Sequence, residues 1–152
     1  MIDMTQGFTI VRDFDATPQD LWQAWTDPDE AAAWWHPRGV HTPRETVSID
    51  ARVGGRYAYT MVDDETGERY PTGGVYREVE EPQRLAFTWG RPEADPDDAP
   101  LITVTFEAAG SGTRMTFDLR GVDPALEEAG VHEGWGSALD ELAAHLGQRA
   151  AR

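Results

Sequence analysis

The chain has no cysteine and no lysine. Without cysteine there can be no disulfide, thiolate metal site, iron–sulfur ligation or cysteine nucleophile. Without lysine there is no lysine Schiff base and no phosphate loop of the usual kind. Long apolar runs are missing too: no stretch approaches the roughly 18 residues of a membrane helix. The first seven residues lack the basic, apolar pattern of a signal peptide. These absences predict a cytoplasmic protein that is not held in a membrane. Positive charge is scarce, with 13 arginines against 28 acidic residues and a net charge of −15. A surface so negative repels nucleic-acid phosphates and anionic lipids, so neither is expected as a partner. No repeat of 20–50 residues is visible. The one low-complexity stretch, residues 91–100, reads as an acidic loop rather than a linker. The 152 residues are therefore read as one domain spanning 1–152, with a core over about 8–147.

What is present is alternation. Residues 8–15 place Phe8, Ile10 and Phe14 on one side of a strand. Thr17-Pro18 and Asp27-Pro28 each supply a cap followed by proline, which predicts two short helices, over about 18–25 and 29–35. His36-Pro37 ends the second. Strands follow at 46–50, 56–62, 74–80, 84–89, 101–108 and 113–119, broken by Gly54-Gly55, the turn 63–68, Pro82 and the turn 109–112. Asp123-Pro124 starts a final helix to about residue 149. Trp135, Leu139, Leu142 and Leu146 recur there at helical spacing. Gly130, Gly134 and Gly136 predict an interruption near residue 130, a bend, or a close approach of another backbone. The fold class is α+β: a curved antiparallel sheet of about seven strands gripping a long C-terminal helix. The two short helices lie between strands 1 and 2.

A series of motifs runs along the chain: Arg12-x-Phe14-x-Ala16, Leu21-Trp22-x-Ala24-Trp25-Thr26-Asp27-Pro28 and the pair Trp34-Trp35. It continues through Asp50-x-Arg52-x-Gly54-Gly55-x-Tyr57, Gly74-x-Tyr76-x-Glu78-Val79 and Gly112-Thr113-x-Met115-Thr116, and ends at Gly134-Trp135 with Leu139 and Leu142. The motifs in this order resemble the START-like (SRPBCC) superfamily. More closely, they resemble proteins homologous to the C-terminal domain of the heat-shock protein 90 ATPase activator. Many members have Gly-Pro after the tryptophan pair; His36-Pro37 stands here. The separate N-terminal domain of the eukaryotic activators has no counterpart in these residues, which argues against a co-chaperone role. The resemblance implies the helix-grip fold, a cavity between sheet and last helix, and the sheltering of small apolar molecules; some relatives cyclise polyketide-type substrates.

Three functions follow as expectations. The first is binding of an apolar or aromatic small molecule without a cofactor. The second is a cyclase, dehydratase or hydrolase using His132 with Tyr57, Tyr59 or Glu78. The third is an interaction domain associated with a chaperone ATPase. Homodimer formation is left open. Six tryptophans supply large rings with a polar edge, suited to a pocket wall. The expected ligand contacts are Trp25, Trp34, Trp35, His36, Tyr57, Tyr59 and Met61 from the first half. Tyr76, Phe87, Trp89, Met115, His132, Trp135 and Leu139 complete the set. His132 precedes Trp135 by three residues, which places both toward one helix face. Glu78 is read either as a buried carboxylate beside Tyr76 or as the partner of Arg52, Arg56 or Arg77. No His-Glu-x-x-His pattern or converging ligand set points to a metal.

Overall fold

The computed structural model describes residues 4–122 and 124–150. Strand β1 (Gly7–Phe14) leads into α1 (Pro18–Thr26) and α2 (Pro28–Trp34). Two minimal strands follow, β2 (Val40–His41) and β3 (Ser48–Ile49), with a single 3-10 turn at Arg44–Thr46 between them. The long strands are β4 (Arg56–Asp63), β5 (Arg69–Glu80), β6 (Arg84–Thr88), β7 (Leu101–Ala109) and β8 (Gly112–Arg120). The last element is α3 (Pro124–Ala150). The eight strands form one antiparallel sheet in the order β1-β8-β7-β6-β5-β4-β2, with β3 also paired to β4. This is the helix-grip arrangement.

Local chemistry sets the element ends. The Thr17 side chain accepts from the Asp20 N–H while the Asp20 carboxylate accepts from the Thr17 N–H, a reciprocal cap with Pro18 at the first helical position. Asp27 caps α2 by accepting from the N–H groups of Asp29 and Glu30, again ahead of a proline. The predicted strand over 46–50 is present in shortened form as β3, Ser48–Ile49, because Thr46 closes the preceding 3-10 turn. Thr46 donates its hydroxyl to the Pro43 carbonyl and accepts from the Thr60 N–H, so side-chain bonds replace ladder pairing there. The additional strand, β2, is too short for alternation to reveal it.

The sheet curves at β5. Its first half, Arg69 to Val75, pairs with β4, and its second half, from Tyr76, pairs with β6. Gly74 makes this crossing fit. A β carbon there would lie 2.0 Å from the Thr88 carbonyl oxygen. That same carbonyl accepts the Tyr57 hydroxyl at 2.6 Å, and the Thr88 hydroxyl accepts the Val75 N–H at 2.8 Å.

Helix α3 is continuous from Pro124 to Ala150, so the interruption expected near Gly130 is absent. Tertiary packing outweighs a glycine cost of roughly 1 kcal/mol each. Nor do Gly134 and Gly136 admit another backbone: a β carbon at Gly134 meets nothing within 4 Å, and one at Gly136 meets only the Arg12 guanidinium. Asp123, read as the cap of α3, lies outside the described residues. The apolar stripe is buried as predicted, with Leu139 and Leu142 fully enclosed and Trp135 and Leu146 nearly so. Arg12 of β1 ties the helix down, donating to Asp140 at 2.7 Å and to the Gly136 carbonyl at 3.3 Å. No helix among the described residues is long and apolar enough to cross a membrane.

Candidate functional site

Three elements leave a cavity of about 170 Å³ between the sheet and α3. The end of α2 supplies Trp35, His36 and Pro37. The sheet supplies Tyr59 and Met61 of β4, and Trp89 just after β6. Helix α3 supplies Val131, Gly134, Trp135 and Ala138, a stripe at offsets of three, four and seven.

Each wall is fixed by its own chemistry. Pro37 stops α2, because the residue before a proline avoids the helical region. The segment beyond it is tied to α3 by the Arg38 N–H, which donates to the Ser137 hydroxyl at 2.8 Å. The Trp35 carbonyl accepts the Thr42 hydroxyl at 2.6 Å, and its ring packs 4.7 Å from Tyr59. The Trp135 ring lies 4.7 Å from Phe117, 5.8 Å from Trp89 and stacked 6.4 Å from Trp25.

Several buried nitrogens at and near this wall lack protein partners. Among the described residues, five buried side-chain nitrogens make no hydrogen bond to any protein group: Nε1 of Trp25, Trp35, Trp89 and Trp135, and Nδ1 of His36. Four of the five belong to residues lining the cavity. The Trp34 indole is a contrast, donating to the Ala24 carbonyl at 2.8 Å.

Burial holds the titratable groups of the wall neutral. It pushes the Tyr59 hydroxyl up to about 12, partly offset by the nearby Trp89 indole and Thr72 hydroxyl. The Trp89 contact falls short of hydrogen-bond geometry. His36 is half-buried, and desolvation lowers its pKa below the ordinary 6.5. Glu141 of α3 and Asp64 after β4 pull it back up, while His41 of β2 adds to the lowering. The unfolded chain therefore binds the proton more readily. The stability His36 contributes is present above pH 6.5 and is lost as pH falls toward its lower native value. Denaturant unfolding should show the parent chain losing stability relative to His36→Gln between pH 7.5 and 5.5. A midpoint for the His36 ring above 6.5 by NMR titration would contradict this.

The structure brings together six of the predicted contacts: Trp35, His36, Tyr59, Met61, Trp89 and Trp135. Trp25, Trp34, Tyr76, Phe87, Met115 and Leu139 are core residues away from the cavity wall. Tyr57 shares its strand face with Tyr59 but lies deeper. Its ring packs on Tyr76 and Phe87, its hydroxyl is committed to the Thr88 carbonyl, and burial raises its pKa. His132 is not in the cavity. It is exposed, with its ring 4.7 Å from Phe8, in a separate shallow depression beside Arg12 and Asp140. Three residues along a helix is about 60° short of a full turn, which carries His132 to the β1 side of Trp135. Glu78 is half-exposed and paired with Arg84 at 2.6 Å, so neither of its expected settings occurs. The shift in register between Tyr76 and Glu78 removes the simple alternation on which the buried reading rested.

Pro37, Val131, Gly134 and Ala138 were missed. Extending the Trp135 stripe by one turn each way would have found Val131 and Ala138; Gly134 precedes Trp135 directly and falls outside that spacing. No carboxylate lines the cavity. Among the described residues no three His, Cys, Asp or Glu side chains converge to hold a metal ion.

The family model for activator of Hsp90 ATPase homolog 1-like proteins matches residues 15–147. The chain belongs to this family. A crystal structure from Nitrosomonas europaea is similar at a TM-score of 0.83 and 28% identity, covering 99% of this chain and 100% of that one. An AHSA1 protein from Silicibacter pomeroyi is 30% identical, with a TM-score of 0.80 and coverage of 94% and 99%. A Chromobacterium violaceum protein has a TM-score of 0.80 and 26% identity over 91% and 96%. No curated protein matches the chain. Within an AHSA1-like fold, the cavity thus lies between the end of α2, the sheet and α3.

Proposed function

We propose that this AHSA1-like protein is a cytoplasmic module that holds an apolar or aromatic small molecule in the cavity between sheet and α3. The observation that carries the reading is the wall itself. Four large rings, Trp35, Tyr59, Trp89 and Trp135, face a shared space with Met61, Val131 and Ala138 and no formal charge. Sites of this kind are mostly apolar, with few polar groups. The volume, about 170 Å³, is close to the roughly 150 Å³ of an apolar cavity that takes benzene. It suits one or two fused rings. Binding is favoured over catalysis because the groups expected to move protons are elsewhere or fixed. His132 and Glu78 are outside, Tyr57 is bonded to backbone, and Tyr59 stays protonated at neutral pH. Native mass spectrometry of freshly purified protein and tryptophan fluorescence against a panel of one- and two-ring aromatics test this. A bound mass, or a saturable response lost in Trp135→Ala with the far-ultraviolet circular dichroism unchanged, is expected. The reading fails if no compound binds, or if the response survives in Trp135→Ala at full affinity.

A further inference from the structure

One member of the cavity wall can change its charge in mild acid. Of the lining residues only His36 and Tyr59 titrate, and Tyr59 stays neutral. A proton on His36 would place a positive charge in a wall of rings and aliphatic groups that holds no carboxylate. The protein offers that charge little relief. An imidazolium donates through both ring nitrogens, and Nδ1 of His36 is enclosed without a protein acceptor. The neutral ring, with its proton on the other nitrogen, leaves only an unused acceptor there. The charged ring leaves an unpaired donor, which costs more. An apolar occupant displaces solvent from beside the ring and raises the cost of the charge further.

Groups outside the cavity set how readily the proton is taken up. Glu141, three residues beyond Ala138 on α3, and Asp64 after β4 favour it, while His41 of β2 opposes it. The α2 carboxylates are engaged elsewhere, Asp29 with Arg44 and Glu30 with His145. Arg38, Glu133 and Asp140 line the separate depression beside β1.

Resting on the binding reading above, we infer that His36 couples the cavity to pH: the neutral ring admits the apolar occupant, and protonation of the ring expels it. Proton and occupant oppose each other at one side chain. By reciprocity each weakens the other by the same factor.

Naphthalene and indole, both neutral throughout, serve as probes, with affinities read by calorimetry between pH 7.5 and 5.0. Affinity for each is expected to fall at least about fivefold across that range, the lower end of ordinary coupling between two equilibria. The His36 ring, followed by NMR, should titrate at a lower pH with a probe bound than without it. His36→Gln cannot take up the proton and should bind each probe with an affinity that stays constant over the range. Glu141→Gln removes a carboxylate that favours the proton, so the loss of affinity should move to lower pH. His132→Gln, outside the cavity, should keep the parent's pH dependence. A parent affinity that is constant with pH, or that rises in acid, would overturn the inference and leave the binding reading standing. A loss in acid that persists in His36→Gln would do the same. Failure of both probes to bind at pH 7.5 would overturn both.

Discussion

Replacing Gly134 by leucine is expected to make the protein more stable and to abolish ligand binding. Gly134 is inside a continuous helix, where glycine costs roughly 1 kcal/mol relative to alanine, and leucine is nearly as good a helix former. A β carbon at this position meets no atom within 4 Å, and Gly134 lines the cavity. A leucine side chain therefore has the cavity as its space and buries apolar surface there, worth up to about 2 kcal/mol more. Thermal unfolding should shift upward by a few degrees, at roughly 2–4 °C per kcal/mol for a chain of this size. Affinity for an aromatic probe should fall at least about a hundredfold, because occupant and side chain compete for the same volume. The pairing of a gain with a loss is diagnostic, since a variant that merely damages the fold loses both. Unchanged binding would move the site away from this cavity. A loss of stability would mean that the space is already filled.

Trp34→Ala should cost about 4–5 kcal/mol, which approaches the whole stability of an ordinary domain. Trp34 is fully buried, packed edge-on 4.6 Å from Trp25. Its indole serves a second purpose set by the sequence ten residues earlier. The Ala24 carbonyl, in the last turn of α1, would ordinarily accept from the N–H four residues on; that residue is Pro28, which has none. The Trp34 N–H supplies the bond at 2.8 Å. Trp34→Phe keeps most of the ring contact and leaves the carbonyl unpaired, so a smaller cost of about 1–3 kcal/mol is expected. Urea unfolding of the three proteins separates the contributions. A phenylalanine variant as stable as the parent would remove the hydrogen bond from the account. An alanine variant losing less than about 1.5 kcal/mol would contradict the packing.

Trp34 and Trp35 illustrate how far the sequence could be read. The pair stood out as neighbours in a family-like motif, and both were expected at the ligand. The structure separates them. Trp34 turns into the core and completes α1, while Trp35, the cap residue of α2, turns to Tyr59 and the cavity. Adjacent helical residues point about 100° apart, and Trp35 leaves the helical backbone at the cap, so the docking of α2 decides which neighbour each ring faces. Tyr57 and Tyr59 pose the converse case. Alternation places both on one strand face, but the approach of Thr88 across Gly74 claims the Tyr57 hydroxyl and leaves only Tyr59 at the cavity.

Alternation along the strands, the two cap-and-proline starts and the Trp135–Leu146 stripe are local patterns. By themselves they determined the element order, the antiparallel sheet and the helix face that covers it. Local periodicity records which side of an element is apolar, and burial enforces that choice. Tertiary structure decided how deep each side chain lies and what it meets. It divided β5 between two partner strands, carried His132 to the outside of α3, and paired Glu78 with Arg84. It also left open space at Gly134 on the cavity wall. A cavity is space left between elements after they dock, and no residue's own pattern encodes it.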